Sequence, residues 1–398
     1  MNQPQSHSQP RAYRYRFYPT PAQAAMLVRT FGCVRFVYNW ALHVRIEAYQ
    51  ERQERLGYQE TSAALTTLKQ QPETAWLTEV SSVPLQQALR HLDTAFRSFF
   101  AHRARYPRFK KKRGRQAATY ASSAFRYDAA THTLTLAKLD TPLDIHWSRP
   151  LPDGAQPTTV TISRDTAGRY FVSFLVEVNI APLPAVEAQV GIDLGLHDVV
   201  VFDSGEKVGN PRFFRQDKQR LATAQRRLAK KQHGSRNRDK ARCRVARIHA
   251  RIADRRSDFL HKLSTRIIRE NQTICIESLA VKAMGKHPTL AKAIHDVGWG
   301  EFVRLLTYKA AWYGRALIPI DRWEPSSKRC SACGEVVASL SLEIRVWTCP
   351  NPACGAVHDR DINAAQNILA VGLTATACGE TVRPGRASVR PAQPGAAR

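Results

Sequence analysis

A chain of 398 residues with 60 Lys and Arg against 33 Asp and Glu carries a formal charge of +27, a self-repulsion best relieved by a polyanionic partner such as nucleic acid. Its 43% hydrophobic content supports a globular fold of two or three domains, and no run of about 18 apolar residues is present to span a bilayer. The polar start MNQPQSHSQPR lacks a signal-peptide core, and of the eight cysteines four cluster while Cys33, Cys243, Cys275 and Cys378 are scattered; one metal site and four ordinary thiols in a reducing cytoplasm are expected rather than a disulfide framework.

Residues 1–12 read as a disordered tail. From Arg14 to Tyr18 basic and aromatic side chains alternate, which predicts a strand with one basic face. Thr20 and Pro21 then open a helical stretch in which Val37, Trp40, Ala41 and Val44 recur at helical spacing, and a second helix over Pro84–Phe100 aligns Leu85, Leu89, Leu92 and Phe96. A helical region roughly between residues 20 and 103 follows from these, and the basic run Arg103–Arg115 comes after it. Trp40, Trp76 and Trp312 are expected in packing. β-rich sequence follows, with strands over Thr158–Arg164 and Tyr170–Val178 about the turn Asp165–Gly168.

Pro182 and Pro184 read as the linker into a second domain, 183–378. It opens on the apolar strand Val190–Gly195, with one acid, Asp193, and a paired strand over Val199–Asp203. A basic helical hairpin spans 211–270; between Arg215 and Arg256 its only acids are Asp217, Asp239 and Asp254, and its turn is expected at His233–Ser235. Leu221, Leu228, Val245, Ile248 and Ile252 supply its apolar seam. A strand over Thr273–Glu277, a helix from about Gly300 to Tyr313 and a strand over Ala316–Ile320 complete the pattern. The Pro-, Gly- and Arg-rich tail 379–398 reads as disordered.

Cys330-x2-Cys333 and Cys349-x4-Cys354, separated by 15 residues, have the spacing of a structural zinc site, with Gly334 and Gly355 placed for the turns around it. Four thiolates leave no open coordination position, so the zinc is structural. The second pair has two residues more than the usual CxxC, and His358 is the alternative ligand to Cys354. Asp193 stands among Val, Ile and Leu, where a charge is costly without a purpose. Glu277 ends an apolar strand, and Asp361 lies in the motif 358–368, HDRDINAAQNI, at the start of the last helix. Three such acids converging would hold two Mg²⁺ ions for phosphodiester hydrolysis. Taken singly, Asp361 reads equally as an N-cap and Glu277 as an ion-pair partner.

Motifs along nearly the whole chain resemble the TnpB proteins of bacterial insertion sequences, relatives of the type V CRISPR effectors. They are RFYPTPAQ at 16–23, RFVYNW at 35–40, YPRFKKK at 106–112, GIDLG at 191–195, DFLHKLST at 258–265, GWGEFVRLLTYKAAWYG at 298–314, PSSKRCSACG at 325–334, VWTCP at 346–350 and the 358–368 motif. The resemblance implies an α/β RNase H-like (RuvC) nuclease domain over 183–378, with a zinc ribbon at 326–358. It also implies a β-barrel wedge domain from 13–20 and 115–182, with the helices of 21–114 as an inserted recognition lobe. The metal-holding acids map onto Asp193, Glu277 and Asp361, with Asp361 rather than Asp359 in the last motif.

The activity implied is a Mg²⁺-dependent, RNA-guided endonuclease cutting double-stranded DNA beside a short flanking motif. It would work as a monomeric, nucleoid-associated complex with an RNA from the element's end, handling double- and single-stranded DNA. Base pairing reads the target, so the basic runs need only grip phosphates; Arg108, Lys110, Lys111, Lys112, Arg226, Arg227, Lys230 and Lys231 are the candidates. Tyr58, Gln86 and Ser122 fall where the flanking motif would be met. A solvated charged face is the plain alternative for the basic runs, and a non-cutting guided repressor or a conventional transposase are the alternatives for the whole chain.

Overall fold

A computed structural model of the chain describes residues 7–341 and 343–377, so Cys378 and the tail expected over 379–398 lie outside the described residues. The described residues divide into two compact units, one of residues 7–180 and 224–247, the other of 181–223 and the described residues from 248 onward.

The first unit begins with β1 (His7–Phe17) and the long helix α1 (Pro21–Arg52). A capping box starts α1: Gln23 N donates to Thr20 Oγ1 at 3.3 Å, Thr20 N donates to Gln23 Oε1 at 3.0 Å, and Pro21 needs no N–H partner. Helix α3 (Ser82–Phe100) packs against it, and α2 (Tyr58–Leu68) packs against α3. Leu85, Leu89 and Leu92 of α3 are fully buried, each contributing roughly 1.5–3 kcal/mol of burial. The strands of this unit are β2 (Gln116–Ala121), β3 (Phe125–Asp128), β4 (Thr133–Leu136), β5 (Ile145–His146), β6 (Thr159–Arg164) and β7 (Tyr170–Ile180).

Two expectations are corrected here. Residues 7–12 are not tail but the first half of β1, paired antiparallel with β7 from His7↔Ile180 to Phe17↔Tyr170. Backbone pairing is indifferent to polar side chains, and Pro10 fits because β5 covers only Arg16 and Phe17, leaving the outer edge free there. Nor is there a closed barrel among the described residues. The sheet has the order β2-β6-β7-β1-β5, with β3 and β4 as a separate hairpin, because the two-residue β5 is too short to carry the ladder onward. Tyr13, Tyr15 and Phe17 point into the core and Arg14 and Arg16 stay exposed, the alternation expected of a strand with one basic face.

The second unit contains β8 (Gln189–Asp193), β9 (Asp198–Phe202), β10 (Lys207–Gly209), β11 (Thr273–Glu277) and β12 (Ala316–Ile320), in the order β10-β9-β8-β11-β12. β8 to β10 form an antiparallel meander, whereas β11 runs parallel to both β8 and β12. Between β10 and β11 comes the hairpin of α4 (Phe213–Ala229) and α5 (Arg236–Glu270). Its base, with Leu221, Ile248 and Ile252 buried, belongs to this unit, while its tip, 224–247, clusters with the first. Short helices α6 (Val281–Met284) and α7 (Ala291–Val297) lead to α8 (Trp299–Tyr313). The buried Asp296 of α7 accepts from Phe214 N at 3.0 and 3.1 Å and from Arg256 Nη2 at 3.0 Å, tying the start of α4 and the end of α7 to α5. After β12 a small hairpin of β13 (Val346–Thr348) and β14 (Val357–Asp359) precedes α9 (Arg360–Ala377). Among the described residues no helix is long and apolar enough to cross a membrane.

Candidate active site and metal centre

Strand periodicity aims the acids. Cys275↔Gly191 and Ile276↔Ile192 are partners in the parallel ladder of β8 and β11, and Asp193 and Glu277 stand one residue beyond, at the ends of both strands. Side chains two apart share a face, so Asp193 faces the same way as Gly191, and Glu277 the same way as Cys275. That face is covered by α9. A Cβ added at Gly191 would lie 2.1 Å from Ala365 O, and one added at Gly372 would lie 2.3 Å from Cys275 Sγ. The glycine of GIDLG is thus required for α9 to lie against β8, and the first turn of α9 carries Asp361.

The hydrogen bonds separate the two acids of the last motif. Asp359 Oδ1 accepts from the backbone N–H groups of Asp361 and Ile362, both at 3.1 Å, and its Oδ2 pairs with Lys207 Nζ at 2.7 Å. Asp359 therefore caps α9, the role considered for Asp361 from sequence. Among the described residues the Asp361 carboxylate meets only Arg345 Nη1, 3.3 Å from each oxygen, a contact made by a mostly exposed guanidinium and worth little.

Asp193 is only partly covered by surface area but ringed by protein. Burial, then the negative charges of Glu277 and Asp361, push its carboxyl up from 3.8 to about 8. Burial also raises Glu277, against the Ser326 hydroxyl that donates to its Oε1 at 3.0 Å. The carboxylates feel one another without touching: among the described residues only the four cysteines have ligand atoms all within 4.8 Å.

A stability consequence follows. Because the folded-state pKa of Asp193 lies above its unfolded value, this group favours folding fully below pH 4, and that contribution is lost as pH rises from about 4 to about 8. In Mg²⁺-free buffer Asp193→Asn should therefore melt higher than wild type at pH 8, by an interval that shrinks toward pH 5. An equal melting difference at both pH values would remove the electrostatic reading.

Ser326 is itself held from α9. Asn367 Nδ2 donates to the carbonyls of Ser326 at 2.8 Å and Arg329 at 2.7 Å; Asn363 Nδ2 donates to Arg329 O at 2.7 Å, and its Oδ1 accepts from Ser331 N at 2.9 Å. Both asparagines are buried. The sequence reading passed over Ser326, Asn363 and Asn367. The available signal was a pair of amides four residues apart among the buried Ala364, Ala365 and Ile368, where an amide needs a partner.

Ser331 leads into the sulfur cluster. Cys330, Cys333, Cys349 and Cys354 come together, with Cys330 Sγ 3.7 Å from Cys354 Sγ and Cys333 Sγ 3.6 Å from Cys349 Sγ. These gaps exclude disulfides and suit a zinc ion, since tetrahedral Zn–S bonds of about 2.3 Å separate the sulfurs by about 3.8 Å. Gly334 and Gly355, after each second cysteine, have φ of +83° and +57°, so the turns need glycine. His358 is not a fifth member of the cluster. It lies on β14 with Nε2 3.0 Å from Cys330 Sγ, placed to donate to a thiolate. Burial pushes the Cys330 thiol up, but backbone N–H groups of Cys333 and Ala332 and the His358 ring outweigh it and bring it down to about 6.

The basic candidates divide. Arg108, Lys111 and Lys112 are exposed in an irregular segment, and Arg226, Arg227, Lys230 and Lys231 are exposed at the hairpin tip. Lys110 is exposed as well, but its amine sits 3.9 Å over the Tyr38 ring, and burial of the amine there lowers its pKa. Gln86 and Ser122 are exposed, while Tyr58 is half-buried with the Arg90 guanidinium 4.5 Å over its ring. Trp40 and Trp312 are half-buried; Trp76 is 39% exposed and packs edge-on to Phe36.

Comparison with known proteins adds the following. A family described as "Probable transposase" (IS605 OrfB) matches residues 173–287, one described as "Cas12f1-like, TNB domain" matches 299–368, and one described as "Helix-turn-helix domain" matches 9–54. The last stretch is here β1 and one unbroken helix. A Streptomyces pristinaespiralis protein named "Putative RNA-guided DNA endonuclease" is 59% identical over 381 residues, 96% of this chain and 94% of its own. Its Escherichia coli K12 counterpart InsQ, of the same description, is 31% identical over 94% of this chain and 95% of its own. In overall fold the chain is similar to Cas12f1 from a complex with guide RNA and target DNA, with a TM-score of 0.55 at 12% identity, covering 91% of this chain and 98% of that one.

Proposed function

Because the chain belongs to the TnpB family, we propose that it is an RNA-guided DNA endonuclease whose chemistry is carried by Asp193, Glu277 and Asp361 holding Mg²⁺. One observation carries this reading: β8, β11 and α9 present three acids at one end of a sheet, two of them at the carboxyl ends of adjacent parallel strands, where open α/β sheets place their ligands. Three hard oxygen donors suit Mg²⁺ better than a soft metal, and burial of like charges beside Asp193 calls for a cation. When bound, a pair of such ions activates water and stabilises the leaving oxygen of a phosphodiester.

The chain's own residues do the positioning. Asp359 caps α9 and so frees Asp361; Ser326 orients Glu277; Gly191 lets the helix close on the strand. The four cysteines hold a structural zinc that fixes the 326–358 segment, with His358 supporting Cys330. Over the whole chain we assign an RNase H-like (RuvC) nuclease region from 183, a wedge-like sheet from β1 and β2–β7, and a helical lobe between them. Arg108, Lys111, Lys112 and the hairpin-tip cations grip phosphates of guide and target, a contact that carries no sequence code. Gln86, with Ser122 and the open side of Tyr58, faces the flanking motif. The working unit is one copy of the chain with its RNA.

The test is cleavage of a plasmid library with a randomised flank by the protein co-expressed with its native flanking DNA, with and without Mg²⁺. Cuts beside one enriched motif, only with Mg²⁺ and only with guide-matched targets, are the expected result. Guided binding without cutting would install the repressor instead, and joined DNA ends the transposase.

A further inference from the structure

Trp323 is the most exposed large apolar side chain among the described residues, at 84%, ahead of Val357 at 67%. An indole left in water forgoes one of the largest burial gains available to a side chain, and it has no ring or cation partner among the described residues. Its place is informative. The loop Asp321–Pro325 leaves β12 at Ile320, whose Cα partner in the parallel ladder is Glu277, and ends at Ser326, whose hydroxyl donates to Glu277 Oε1 at 3.0 Å. Both ends are therefore anchored on the same acid, and Trp323 stands midway, three residues from each. Three residues span at most about 11 Å, roughly three base steps along a strand at 3.4 Å each.

The loop is also stiff. Trp323 N donates to Asp321 Oδ1 at 2.7 Å, Ser326 N donates to Glu324 O at 2.8 Å, and Arg329 grips Glu324 Oε1 through Nε at 3.0 Å and Nη2 at 2.9 Å. Arg322, the preceding residue in the chain, is also exposed. A rigid loop presenting an aromatic face and a cation within a few nucleotides of the acids matches how unpaired strands are held: bases stack on the ring, without preference for sequence, and the backbone meets the charge.

On the reading of the acids given above, we infer that Trp323 is a stacking platform for an unpaired nucleobase of the DNA strand being cut, holding that strand in register with Asp193, Glu277 and Asp361. It positions the substrate and takes no part in the chemistry.

The test uses the full protein–RNA complex and guide-matched DNA in which a single abasic nucleotide is moved through the cut region. Wild type should cut more slowly when the missing base is the stacked one. Trp323→Ala should cut intact DNA about 10-fold more slowly and lose that dependence on abasic position, while Trp323→Phe restores most of both. Because the side chain is exposed, melting temperatures should not change. Equal cutting by wild type and Trp323→Ala overturns the inference, as does slow cutting by the variant with unchanged abasic sensitivity. A short single-stranded oligonucleotide unmatched to the guide, intact or abasic, is titrated in parallel, and this reads stacking whether or not the complex cuts. Trp323-dependent binding in a complex that never cuts leaves the platform and overturns the nuclease; cutting without any Trp323 dependence does the reverse.

Discussion

Asp193→Ala should lower guided cutting by about three orders of magnitude or more while leaving guide RNA and target binding at wild-type levels. The size follows from the proposed role: losing one ligand of a catalytic ion would remove several kcal/mol of transition-state charge stabilisation, and each 1.36 kcal/mol is tenfold in rate. The selectivity follows from position. Asp193 sits at the end of β8 against α9, apart from the exposed cations proposed to grip phosphates. Removing it also relieves the burial of a carboxylate that, with the like charges of Glu277 and Asp361, pushes its own carboxyl to about 8, so the variant should be at least as stable as wild type. Asp359→Ala is the control for proximity alone. It removes a cap on two backbone N–H groups and a pair with Lys207, an effect of about 1 kcal/mol on stability, and should leave most of the cutting. Rates, guide binding and melting measured on the two variants side by side decide the matter. Residual cutting by Asp193→Ala within tenfold of wild type would sink the assignment.

Asp193 could be singled out from sequence because a carboxylate inside Val-Gly-Ile-Asp-Leu opposes the burial that the rest of the strand seeks. The cysteines were legible for a related reason, since paired thiols at short spacing have few uses in a reducing compartment. Glu277 and Asp361 were weaker signals singly, and their relation became visible only once the parallel register and the glycine contact put all three on one side of the sheet. α3 was readable almost to the residue because its leucines repeat at helical spacing.

What escaped the reading was decided by backbone or by distant partners. The first half of β1 has strand-indifferent side chains and is a strand because β7 is there to pair with it. The open sheet rather than a barrel turns on the two-residue length of β5. Ser326, Asn363 and Asn367 are ordinary polar residues until the fold buries the amides and brings Ser326 under Glu277. Trp323 is the opposite case, an apolar residue whose meaning lies in its not being buried.

Ser326, Asn363 and Asn367 also make the proposed zinc centre something more than a remote staple. Cys330→Ser should bring bound zinc from about one ion per chain to near zero and abolish most cutting, although it touches none of the three acids. A structural zinc site stores its binding free energy as folding free energy of the segment that makes it, so without the ion the 326–358 segment should lose its protection from hydrogen exchange. Ser326 and Ser331 flank Cys330 at the start of that segment, and they bond to Glu277 and to Asn363 respectively. Loosening the segment withdraws the hydroxyl that orients Glu277 and unpairs two buried amides at the start of α9, the helix that carries Asp361. Guide RNA binding through the exposed cations should persist. Cys243→Ser, outside the cluster, should change neither zinc content nor cutting. Zinc measured by atomic absorption, exchange over 326–358 and cleavage rate separate the possibilities. Full zinc in Cys330→Ser would refute the ligand set. Zinc lost with cutting intact would leave the centre structural but sever it from Glu277, and the Ser326 bond would then be dispensable to the reaction.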